Sequence, residues 1–187
     1  MTLDDAFRKR LLTLARSSIE HGLATSLPIP VRAADWPSAM WCPRATFVTL
    51  THGSRLRGCR GRIEAVQPLP QDVAVSAVQT ALDDPRFPPV TSAELPELKI
   101  AISVLTPLEP LAVADMAALQ SVLRPREDGL LVVAGDHRAT FLPKVWEQLP
   151  DSRSFLAALW EKAGLQQEAW PRGVRIERYA AIDFAEA

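Results

Sequence analysis

The segment Thr46-Phe47-Val48-Thr49-Leu50-Thr51, the short break His52-Gly53-Ser54, and the return Arg55-Leu56-Arg57 constrain the fold more than any other part of the chain. The first run is β-branched and aromatic, which favours a pleated, half-buried surface. A break this short and glycine-bearing reads as the loop of a hairpin. It joins two antiparallel strands, because a parallel partner needs a crossover of about a dozen residues or more.

As the chain leaves this hairpin it runs Ser54-Arg55-Leu56-Arg57-Gly58-Cys59-Arg60-Gly61-Arg62, with one thiol between two glycines and four arginines around it. Glycine allows a positive φ and close approach of a ligand to the main chain. Neighbouring arginines favour the thiolate, the reactive form of cysteine. Cys59 is therefore the candidate catalytic residue. Arg57, Gly58, Arg60 and Gly61, with Asp84 and Arg86 further on, are the candidate binding residues.

Phe7, Leu11, Leu14, Ala15, Ser18 and Ile19 form one apolar helical stripe, with Asp4 or Asp5 to cap its start and Gly22 to end it. Leu27 to Pro43 has no period and reads as an ordered loop held by Trp36 and Trp41. A helix is predicted over Gln71 to Leu82. Pro85 stops it, and the segment Asp83 to Pro89 is stiffened by three prolines. Leu98 to Leu105 alternates as a strand, and Ile63 to Val66 is a candidate continuation of the first hairpin. Asp115 to Leu123 reads as a short helix. Gly129 to Val133 and Ala139 to Leu142 flank a Gly135-Asp136-His137-Arg138 turn. A short helical turn from Pro143, a helix over Ser152 to Ala163 with Gly164 behind it, and strands at Gly173 to Glu177 and Ala181 to Phe184 complete the pattern. Hairpins mix with helices without βαβ regularity, so the fold class is α+β with mostly antiparallel sheet and packed helices. The length of 187 residues suits one domain spanning the chain, with room for a smaller inserted lobe.

Composition narrows the function. The formal net charge of −1 lacks the cationic excess that duplex nucleic acid demands. The arginine run also lacks interleaved aromatics on which bases would stack. There is no apolar run of membrane-spanning length and no apolar h-region near the first residues, which leads us to expect a cytoplasmic location. Cys42 and Cys59 are the two cysteines, without C-x-x-C spacing or a disulfide framework. No cofactor loop and no metal-ligand spacing is readable, Cys42, Cys59, His52 and His137 included.

Several ordered motifs resemble the AMMECR family, known in prokaryotes as protein A of the AmmeMemoRadiSam system. They are Phe47-Val48-Thr49-Leu50, Leu56-Arg57-Gly58-Cys59-Arg60-Gly61, Asp84-Pro85-Arg86-Phe87-Pro88-Pro89, Ile102-Ser103-Val104-Leu105-Thr106-Pro107, Phe141-Leu142-Pro143-Lys144-Val145 and Lys162-Ala163-Gly164-Leu165. The resemblance implies a two-lobed α+β fold with the Leu-Arg-Gly-Cys segment near a cleft. It also implies a genomic link, in prokaryotes, to a Memo-like protein and a radical S-adenosylmethionine protein, and it carries no settled reaction. This chain has Arg60 where the family usually has Ile, and Ala45-Thr46 where Gly-Ala is usual.

Two functional readings follow. In one, a cleft around Arg57, Gly58, Cys59 and Gly61 binds an anionic small molecule or modified residue, with Cys59 in the chemistry. In the other, the chain is a non-catalytic binding or adaptor protein. Cys59 is then structural, Arg57 is ion-paired to Asp83 or Asp84, and Asp84 and Arg86 fix a proline-locked turn. His52, seven positions before Cys59, is a possible base or an exposed turn residue.

Overall fold

The structure is a computed structural model and describes residues 3–187. It divides into two compact units, one formed by the chain up to Leu105 together with Ile182–Ala187, the other by Thr106–Ala181. The second unit is thus spliced into the sequence of the first.

The first unit is a four-stranded antiparallel sheet with a layer of two helices. Helix α1 spans Asp5–Thr25, and the Asp4 carboxylate accepts the N–H of Phe7 at 2.9 Å to cap it. Gly22 does not end this helix, as the sequence suggested. It lies inside, where a Cβ would come within 2.9 Å of Val78, and the helix stops instead at Ser26, at φ 62°. The 27–43 loop contains two short 3₁₀ turns, Ala33–Asp35 and Ser38–Met40. Trp36 packs on the core there, with the Arg10 guanidinium 4.3 Å above its ring.

Strands β1 (Thr46–His52) and β2 (Arg55–Gly61) form the expected hairpin, with Gly53 at φ 58° in the turn. Segment 63–66 does not continue β2 as a strand. Helix α2 covers Leu69–Leu82, starting two residues before the predicted Gln71 because Pro70 fits the first helical turn. Strand β3 (Leu98–Leu105) pairs with β1 on the side away from β2, and β8 (Ala181–Ala185) closes the order β2-β1-β3-β8. Alternation puts Val48, Leu50, Ile100, Ile102 and Val104 into one core with Leu11, Ala15 and Ile19 of α1 and Val73, Ala77 and Ala81 of α2. The buried polar groups between the layers are satisfied. Ser18 donates to the Ala74 carbonyl at 2.8 Å, and Thr80 to the carbonyls of Ser76 and Val48 at 2.7 and 3.1 Å.

The second unit holds the two-residue β4 (Glu109–Pro110), α3 (Met116–Val122), β5 (Gly129–Ala134), β6 (His137–Phe141), α4 (Ser152–Lys162) and β7 (Arg175–Tyr179). Its sheet has the order β4-β7-β5-β6. The β5–β6 turn is only Gly135-Asp136, tighter than the four residues expected, so His137 and Arg138 belong to a strand. Trp146 stacks on Phe155 at 3.9 Å, while its indole N–H reaches the Asp128 carbonyl at 2.7 Å. The tryptophan thus buries a large apolar surface without stranding its donor. No helix among the described residues is long and apolar enough to cross a membrane.

Helix α2 crosses β2 at Gly58, where a Cβ would lie 2.6 Å from the Thr80 carbonyl oxygen. Backbone cannot yield as a flexible side-chain tip can. We expect Gly58→Ala to cost about 2 kcal/mol through overpacking, read as a lower urea midpoint. Gly53→Ala faces open space and a left-handed backbone, and should cost about 1 kcal/mol.

Candidate functional site

Strand β2 is an edge of its sheet, so its outward backbone groups need partners from elsewhere. At Cys59 one residue pair supplies both. The Cys59 N–H donates to Asp84 Oδ2 at 2.9 Å, and the Cys59 carbonyl accepts from Arg86 Nη2 at 3.1 Å. Arg86 is in turn gripped bidentately by Asp84, at 2.9 and 2.6 Å, and its own N–H reaches the same carboxylate at 3.2 Å. Asp84 is 4% exposed. Its carboxyl is held well below the usual carboxylate range, first by the Arg86 hydrogen bonds and then, against the opposing effect of burial, by the Cys59 N–H. The Arg86 pKa is raised by the same contact. The proline-stiffened segment delivers both side chains, since Asp84 lies immediately before Pro85 and the Phe87 N–H closes a turn onto the Asp84 carbonyl at 3.1 Å.

Arg57 occupies a register shift. Gly58 opposes Leu50 and Leu56 opposes Thr51, which leaves Arg57 as the extra residue of a β-bulge. The bulge aims its guanidinium at Glu94, with contacts of 2.5 and 3.1 Å. The Glu94 pKa is lowered chiefly by this contact. Asp83 and Asp84, the partners named from sequence, do not make the pair. Both cations lie near the Phe87 ring, whose centroid is 6.0 Å from the Arg57 guanidinium and 5.5 Å from that of Arg86.

Cys59 faces Thr49 across the hairpin, and the Thr49 hydroxyl lies 3.3 Å from the sulfur. The thiol is half-buried. His52, at the far end of β1, pairs with Glu97 at 2.8 Å rather than with Cys59. Cys42 contacts the Ala39 carbonyl at 3.4 Å. Among the described residues no group of three or more His, Cys, Asp or Glu is placed to hold a metal ion.

Gly58 and Gly61 both serve close approach within the chain itself. A Cβ on Gly61 would fall 2.1 Å from the Thr46 carbonyl oxygen. Neither glycine has a positive φ, so the alternating backbone of an anion nest is not formed. Arg60 opposes Val48, which in turn opposes Ile102, and so lies on the helix-layer face, opposite to that of Cys59 and Thr49. Its side chain is exposed and has no ion-pair partner among the described residues. Arg62 pairs with the fully buried Asp72 at 3.1 Å. Burial pushes the Asp72 carboxyl up, against hydrogen bonds from Thr46 and Gln67 and the Arg62 charge.

A family model described as AMMECR1 matches residues 12–184. This chain belongs to the AMMECR1 family. A protein of Methanothermobacter thermautotrophicus is 38% identical over 182 residues, covering 95% of this chain and 93% of that protein. A Saccharolobus islandicus protein is 42% identical over 147 residues, and the match spans 65% of its length and 75% of this chain. The crystal structure of an uncharacterized Pyrococcus horikoshii protein is similar with a TM-score of 0.89 at 32% identity, covering 98% of this chain and 93% of that one. The α+β reading stands, with four helices and two antiparallel sheets among the described residues.

In this AMMECR1 chain, two hollows of about 620 and 390 Å³ run along α1, and neither is lined by Cys59, Arg57, Asp84 or Arg86. Sequence reasoning missed Glu94 and Thr49 as members of the Cys59 cluster. Thr91-Ser92-Ala93-Glu94 has the S/T-x-x-E form that signals a helix start, and the Glu94 N–H does reach the Thr91 hydroxyl at 3.3 Å. Nothing local pointed to Arg57, 37 residues away.

Because the folded Asp84 pKa is lowered, its stabilisation is present above the unfolded value of about 3.9 and is lost as pH falls toward the folded value. Asp84→Asn should cost about 2 kcal/mol at neutral pH. The gap from the parent should close as pH drops below about 4, measured by denaturant midpoints across that range.

Proposed function

We propose that this chain is the binding component of a protein-modification system whose chemistry is carried by a Memo-like protein and a radical S-adenosylmethionine protein, and that it presents the β2 edge around Cys59 to them. The observation that carries this reading is the double hold on the Cys59 backbone by Asp84 and Arg86. It makes the segment a rigid feature of the surface. It also occupies the cations that an anionic substrate would need, since Arg86 is committed to Asp84 and Arg57 to Glu94. A nucleophilic thiol is activated by an adjacent base or by a nearby cation that favours the thiolate. The side chain that contacts the sulfur is the neutral Thr49 hydroxyl, and the nearby Arg86 is already paired to Asp84.

A second reading rests on the half-exposure of the thiol. Here Cys59 takes part in chemistry on an anionic small molecule or modified residue supplied by the partners. In that case Arg86, whose guanidinium reaches the Cys59 carbonyl and whose side chain is 53% exposed, would supply the charge while paired to Asp84.

Cys59→Ser distinguishes the two. Under the binding reading, tagged Cys59→Ser chain captures the Memo-like and radical proteins from its native host as well as the parent does, and it complements a deletion strain. Loss of complementation with the fold and the capture intact would transfer the conclusion to the catalytic reading. Failure of the parent chain to capture either protein would remove the proposed partnership.

A further inference from the structure

An open sheet edge exposes backbone groups with which another strand can pair, and folded chains blunt such edges with proline, short strands or charged cover. Three of the four sheet edges among the described residues are met in that way. β2 is closed at Cys59 by Asp84 and Arg86. β4 is two residues long and includes Pro110. On β6 the Thr140 carbonyl accepts the Lys162 ammonium at 2.9 Å. β8 is the exception. It has β3 on one side, and among the described residues no side chain meets the backbone of its other side. The Glu186 N–H donates to the Ile100 carbonyl of β3 at 3.0 Å, so strand alternation turns the backbone groups of Asp183 and Ala185 outward. Both residues are exposed.

Helix α1 flanks this edge, tied to it by the Arg16–Glu186 ion pair at 2.5 Å. The hollow of about 620 Å³ between them is lined by Lys9, Thr13, Ser17 and Glu20 of the helix and by Ala185 at the end of β8. Lys9 and Glu20 are exposed, and neither has an ion-pair partner among the described residues. Glu20 adds only to the field at Arg16, whose own hydrogen bonds go to Leu95, Leu98 and Glu186. Lys9 and Glu20 fall on one line of the helix, three turns and roughly 16 Å apart. The small side chains of Thr13 and Ser17 lie between them. Opposite charges at the two ends of one line make the helix face complementary to an antiparallel copy of itself, the property that a two-fold interface requires.

We propose that β8 and the adjoining face of α1 bind a second copy of this chain, with β8 antiparallel to β8 and α1 antiparallel to α1. Lys9 of each copy then meets Glu20 of the other. The strand register follows from charge and from the direction of the backbone groups. Outward groups must meet outward groups, and setting Asp183 against Asp183 would oppose like charges. An axis through Phe184 sets Asp183 opposite Ala185 instead. It also sets Phe184 opposite its own copy in the closer, non-hydrogen-bonded position, where an aromatic pair adds stability. Phe184 is partly buried against the core and so is already oriented. No internal ion pair is given up in this arrangement, because Arg16 keeps Glu186.

The test is the solution mass of the full chain by sedimentation equilibrium across micromolar concentrations, where the parent should be a dimer. Lys9→Glu or Glu20→Lys alone should weaken dimerisation roughly tenfold, because each reversal acts twice across the two-fold axis. The double reversal should restore it. Ala185→Pro should give a monomer with an unchanged far-UV spectrum, since it removes only an outward N–H. The proposal is overturned if the parent is monomeric, if the double reversal dimerises no better than the single ones, or if Ala185→Pro folds and dimerises as the parent does. The charge reversals decide alone if Ala185→Pro does not fold, because both of their sites are exposed on a helix surface.

Discussion

An edge strand leaves a row of backbone donors and acceptors without partners, and the region around Cys59 is organised by the way those groups are met. β2 has only β1 beside it. The Asp84 carboxylate and the Arg86 guanidinium close its outward N–H and C=O at Cys59, as a neighbouring strand would. The arrangement also blocks addition of a foreign strand at this point, a hazard that open edges carry. The thiol's position thus depends on a carboxylate 25 residues away.

The arginines change meaning in this setting. In isolation, four of them around a thiol suggest an anion site. Folded, Arg57, Arg62 and the more distant Arg86 each have their own carboxylate, in Glu94, Asp72 and Asp84. A forked guanidinium bound to an internal carboxylate has little left to offer a ligand. Their main work is to tie β2 to the 84–94 segment and to α2. Arg60, the residue that departs from the usual family pattern, projects from the other face of the sheet. It therefore adds no charge on the thiol's side.

The elements of the fold were largely legible because they arise from short-range rules. The β1–β2 hairpin follows from β-branched residues about a glycine turn, and α1 from its apolar stripe and the Asp4 cap. The misreadings also had local causes. Gly22 looked like a terminator, but its missing side chain admits Val78 of the neighbouring helix. The β5–β6 turn looked four residues long because His137 and Arg138 are polar, yet both are edge-strand positions where polarity is tolerated.

The sequence by itself determined the fold class, the family and the segment that contains the candidate site. Each is written in residue order or in spacings of a few positions. Only the tertiary structure decided that Arg57 meets Glu94 and not Asp83, that Asp84 and Arg86 secure the Cys59 backbone, and that Arg60 and Cys59 occupy opposite faces. Nothing within a few residues of Arg57 marks its partner 37 positions away. The direction of a strand side chain depends on register, and one bulge at Arg57 resets it. Ion pairing depends on distance in space, which the chain order leaves open until the sheet and helices have packed.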